Sequence, residues 1–102
     1  MLKKGPHFNR QWRKRVGGDP PRVAEVLEIL EASVRIQKFR DDLRVAGTGF
    51  GYRMLSLYWH PERNLVIKVD EGRGRLVTVL TPETRKEAPG WRPKELPSVS
   101  SM

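Results

Sequence analysis

Cysteine is absent from this 102-residue chain, so neither a disulfide nor a thiolate-held metal can contribute to it. Aromatic residues make up 8% and hydrophobic residues 37%, enough for one modest core but not for two. No apolar run approaches the roughly 18 residues a membrane span needs. The first sixteen residues hold no acid, and no apolar segment of the signal-peptide kind follows their positive charge. The two histidines, His7 and His60, lack metal-ligand spacing. The expectation from these absences is a soluble, cytoplasmic protein with no metal and no cofactor.

What the chain has in excess is positive charge. Twenty Lys and Arg face twelve acids, a formal balance of +8. A field of that sign on a small domain attracts polyanions such as RNA, DNA or acidic headgroups. Six of the cations fall within residues 1–16.

Hydrophobic spacing divides the chain into a helical start, a β-rich middle and a proline-rich end. From Pro6 to Val16, Phe8, Trp12 and Val16 recur every four residues and share one helix face. His7, Gln11 and Arg15 form the adjacent stripe, with Arg10, Arg13 and Lys14 elsewhere on the surface. Gly17-Gly18 is a stop signal, because glycine takes the left-handed conformation that ends a helix. Asp19-Pro20-Pro21 reads as the cap and first turn of a second helix over residues 20–33, with Val23, Val26, Leu27, Leu30 and Val34 inward and Glu25, Glu28 and Glu31 outward.

Residues 34–81 read as sheet. Val34 to Phe39 alternates as a first strand, Arg40-Asp41-Asp42 suits a turn, and Leu43-Arg44-Val45 a short return. Gly47-Thr48-Gly49-Phe50-Gly51 reads as a connector, since a phosphate-cradling glycine loop must lead into a helix. Three strands follow, around residues 51–60, 64–70 and 75–81, joined by turns at Pro61–Asn64 and Glu71–Gly74. Turns this short force antiparallel neighbours. Leu55, Leu57 and Trp59, then Leu65, Ile67 and Val69, then Leu76, Thr78 and Leu80, are expected beneath the helices, and His60 is expected to face solvent. Residues 82–102 hold four prolines without periodicity and read as an extended or disordered tail, with Trp91 tucked against the body. The expected fold is α+β over residues 1–81: two N-terminal helices packed on an antiparallel β-meander of three to five strands.

The helix carrying His7, Arg15 and Gly17, the second helix at Val23–Leu30 and the Val77-Thr78-Val79 strand together resemble small α+β domains of the DUF4258 type, related to the BrnT and RelE-like toxins. Gln11 stands where that pattern has an arginine, and Arg10 is one residue early. The resemblance spans about residues 7–81. It implies an RNA-directed, toxin-like domain, and in its active form a metal-independent ribonuclease. His7 would move the proton, Arg15 would hold the phosphate and Thr78 would hydrogen-bond a phosphate oxygen.

A non-catalytic alternative comes from the residues themselves. Tyr52, Tyr58, Arg53 and Lys68 on one sheet surface would stack bases and track phosphates, extended by Lys3, Lys4, Arg10, Arg13 and Lys14. A third is a basic module that binds an acidic, antitoxin-like protein.

Overall fold

The computed structural model describes residues 2–45, 49–85 and 91, with only the backbone for residues 42–45 and 49–50. Two helices and five strands make an α+β fold in the order β1 (Lys3–Lys4), α1 (Pro6–Arg15), α2 (Val23–Glu31), β2 (Val34–Val45), β3 (Gly49–His60), β4 (Leu65–Asp70) and β5 (Arg75–Leu80). The sheet order is β1-β5-β4-β3-β2. No helix among the described residues is long and apolar enough to cross a membrane.

The sheet is mixed, which corrects the expectation of a purely antiparallel one. Lys3 and Lys4 pair in parallel with Arg75 and Leu76, and the Lys3 N–H donates to the Gly74 carbonyl at 2.7 Å. A two-residue strand has no periodicity to read, and it forms only because the start of the chain passes the β4–β5 turn.

Helix α1 ends where the glycines require. The Val16 and Gly17 N–H groups both donate to the Trp12 carbonyl, and Gly17 has φ +97°. Helix α2 begins later than its proline pair suggests. Pro21 pushes the residue before it out of the helical region. Arg22 is the cap instead, in extended conformation, and its N–H donates to the Glu25 carboxylate at 3.3 Å. The buried stripe of α2 is also narrower than expected: Val26 and Ile29 are buried, whereas Leu27 and Val34 are exposed.

Strand β2 runs unbroken through Arg40-Asp41-Asp42, where a turn was expected. The register sets Asp41 opposite Arg53 and Arg40 opposite Met54, beside Tyr52. The Arg53 Nε donates to Asp41 at 2.8 Å, and the Arg40 guanidinium lies 4.4 Å from the centre of the Tyr52 ring. Such cross-strand pairs offset the poor strand preference of aspartate. Of the glycine-rich connector, residues 47–48 lie outside those described, whereas residues 49–51 belong to β3 rather than to a loop; residues 86–90 and 92–102 of the expected tail also lie outside those described.

Both sheet faces carry an apolar cluster. On one, Phe8, Trp12, Val26 and Ile29 of the helices meet Leu65, Ile67, Val69, Leu76 and Val79. On the other, Leu57, Trp59, Val66 and Leu80 are joined by Ile36, Phe39 and Trp91. The apolar row of β3 therefore turns away from the helices, against expectation. The cause is register: Tyr58 pairs with Ile67 and Trp59 with Val66. In β5 a register shift opposite Lys68–Val69 puts Leu76 and Val79 on the helix side, while Leu80 joins the far cluster.

Candidate nucleic-acid interface

Among the described residues, the short β1 leaves β5 without a strand partner beyond Leu76 on its outer side. Helix α1 fills that space. Arg15 Nη1 donates to the Val79 carbonyl at 2.8 Å and to Thr78 Oγ1 at 3.3 Å. Two of the three expected catalytic residues thus meet directly. His7 lies eight residues earlier on the same stripe, roughly 12 Å along the helix axis.

Thr78 is buried and pairs across the sheet with Lys68, which in turn pairs with Leu57. Lys68 is 7% exposed, and no described hydrogen bond or ion pair engages its ammonium group. Its nearest compensation is the Phe39 ring, 5.9 Å to the centroid. Burial first, then the Arg53 and Arg15 charges, push the Lys68 ammonium below its ordinary range, with Asp41 opposing them. A buried cation without a partner is costly unless an anion can reach it.

Arg53 links this cluster to a second one. It forms a wall of a cavity of about 470 Å³ with Lys3, Lys4, His7 and Arg75, closed by Pro6, Phe8, Leu76 and Val77. Four of the ten described lining residues are Lys or Arg, and none of the described ones is acidic. His7 is exposed there, and none of the described hydrogen bonds involves its ring. Lys4 also donates from Nζ to the Pro21 carbonyl, which anchors β1 to the start of α2.

The remaining expected site residues scatter. Arg10, Arg13 and Lys14 are exposed on α1. Tyr52 and Tyr58 do not share a platform with Arg53 and Lys68, because alternate residues of a strand face opposite ways. Tyr58 packs toward the helix-side cluster, and its hydroxyl donates to Glu71. Burial, followed by Glu71, raises the Tyr58 phenol above its ordinary value. His60 is buried rather than solvent-facing, and its Nδ1 accepts the Arg63 N–H at 3.1 Å. Among the described residues no group of His, Asp and Glu could hold a metal.

Sequence reasoning named Lys68 and Arg53 but not Arg75 or Phe39. Arg75 was hidden because β1 could not be foreseen. Phe39 could have been found from its alternation in β2, had β2 been paired with β3. No protein-family model, curated protein or solved structure matches this chain.

Proposed function

We propose that the chain binds RNA through its phosphates, along the cationic tract from the cavity at His7 and Arg75, past Arg53, to Lys68, Arg15 and Thr78. The observation that carries this reading is Lys68, buried, without a hydrogen bond or ion pair among the described residues, and within the electrostatic reach of Arg53 and Arg15. A phosphodiester oxygen placed against it would remove the cost of that burial and accept charge-assisted hydrogen bonds from neighbouring donors. The resemblance of the His7–Arg15–Gly17 helix to toxin-like domains points to the same RNA-directed, cytoplasmic role.

Binding is favoured over cleavage by how the expected catalytic groups are used. The Arg15 guanidinium is committed to the Val79 carbonyl, and His7 stands about two helical turns from it without a hydrogen-bonded partner among the described residues. A short single-stranded RNA titrated against wild type and Lys68→Met tests the reading. The expected result is binding by wild type and a loss of roughly tenfold in the variant, the size of one charged hydrogen bond. Equal affinities would remove Lys68, and this interface with it. Incubation of the same RNA in a metal chelator tests cleavage: scission that His7→Ala abolishes would establish a ribonuclease.

A further inference from the structure

We infer that the cavity beside the start of α1 receives a terminal phosphate of the RNA, a phosphomonoester rather than an internal diester; this rests on the RNA-binding reading above. Three observations converge on it. Lys3, Lys4, Arg53 and Arg75 supply four formal cations around about 470 Å³, with no acid among the described lining residues. A bridging phosphodiester carries one negative charge, whereas a terminal phosphate carries about −1.5 to −2 at neutral pH. The concentration of charge suits the more anionic group.

The second observation is the helix end inside this cavity. Gly5 caps α1 without a side-chain hydrogen bond, the first turn contains no acid, and Pro6 opens the helix. Gly5, Pro6, His7 and Phe8 all line the cavity. The exposed His7 therefore begins the helix without a capping side chain at the edge of the basic lining. The positive end of the helix dipole adds the same sign of field.

The third is the link to the rest of the tract. Arg53 spends its Nε on Asp41, leaving the terminal nitrogens of its fork. It lines the cavity and also acts electrostatically on Lys68. One strand could thus rest an internal phosphate near Lys68 and its end in the cavity. Pro6 and Val77, the accessible apolar residues of the described lining, give the terminal nucleoside an apolar wall.

The test is an anisotropy titration of one oligoribonucleotide sequence bearing a 5′-phosphate, a 3′-phosphate or hydroxyl ends. One phosphorylated form is expected to bind about tenfold more tightly than the hydroxyl form, as a charged hydrogen-bonding set implies. Arg75→Ala and, separately, Lys3→Ala are expected to erase most of that ratio; both side chains are exposed, so the fold is retained. Equal affinity for all three forms, with binding still present, overturns the end-site inference and leaves RNA binding standing. No binding of any form defeats both. A nucleoside 5′-monophosphate that binds as tightly as the phosphorylated RNA overturns the assignment to an RNA end and makes this a free-nucleotide site. Inorganic phosphate is expected to compete weakly, lacking the nucleoside for the apolar wall.

Discussion

Arg15 ties the last turn of α1 to the open edge of β5, its Nη1 donating to the Val79 carbonyl at 2.8 Å. The carbonyl belongs to a stretch that β1 does not cover, so a side chain completes what a strand would otherwise do. Arg15→Ala is expected to destabilise the fold by about 1–2 kcal/mol through removal of the charged hydrogen bond. Arg15→Lys keeps the charge but lacks the fork that reaches Val79 and Thr78 together. Urea melts of the three proteins check the order: wild type most stable, then Lys, then Ala.

Lys68 gives the opposite sign. Its depressed pKa means that the folded state binds fewer protons than the unfolded chain below the ordinary lysine value of 10.5. Stability therefore rises with pH as the penalty is relieved on approach to that value, through this group alone. Lys68→Met keeps the stem and removes the charge. It is expected to raise stability at neutral pH by about 1 kcal/mol, or roughly 4–8 °C in Tm for a domain near this size. Inorganic phosphate is expected to stabilise wild type more than the variant. Thermal melts in phosphate and chloride at several pH values read all three effects.

Asn64 joins two parts of the chain. Its Oδ1 accepts the Trp59 indole N–H at 3.0 Å and Arg85 Nη1 at 3.0 Å, while its backbone sits at φ +50°. Asn64→Asp keeps an oxygen for both donors and is expected to melt within about 0.5 kcal/mol of wild type. Asn64→Gly removes both hydrogen bonds but fits the left-handed backbone, and Asn64→Ala removes them and adds strain of roughly 1 kcal/mol. Denaturant midpoints should rank Asp above Gly above Ala.

Tyr58 titrates late because it is partly buried and because Glu71 holds its proton. The same hydrogen bond lowers the Glu71 carboxyl. The phenol's contribution is fully present below its unfolded value near 10 and is lost as pH rises through the higher folded value. Glu71→Gln is expected to move the phenolate absorbance transition to lower pH. An unmoved transition would leave burial as the only cause.

Much of the fold was legible because the strongest signals are local. The four-residue spacing of Phe8 and Trp12, the stop at Gly17 and the reversals at 61–64 and 71–74 all appear where their residues place them. What was not legible depends on pairing between distant segments. Alternation gives two faces to each strand but cannot say which face meets a helix; only the Tyr58–Ile67 register decides that, and it turned Leu57 and Trp59 away. Asp41 and Asp42 looked like turn residues until Arg53 stood opposite. For the site, Arg15 and Thr78 stand out in the sequence only as separate candidates for phosphate contact, and the structure joins them by a hydrogen bond. The cavity was not foreseeable, because it needs Lys3–Lys4 to lie along Arg75–Leu76.

The most direct test of the cationic tract is the salt dependence of RNA affinity, measured for wild type and Arg53→Ala from low to moderate salt. Arg53 belongs to both the cavity and the surroundings of Lys68. The expected result is a steep linear fall of log affinity with log salt, and a slope reduced in the variant by about 0.7 for each phosphate it no longer neutralises. A flat dependence in wild type, or an identical slope in Arg53→Ala, would contradict the account.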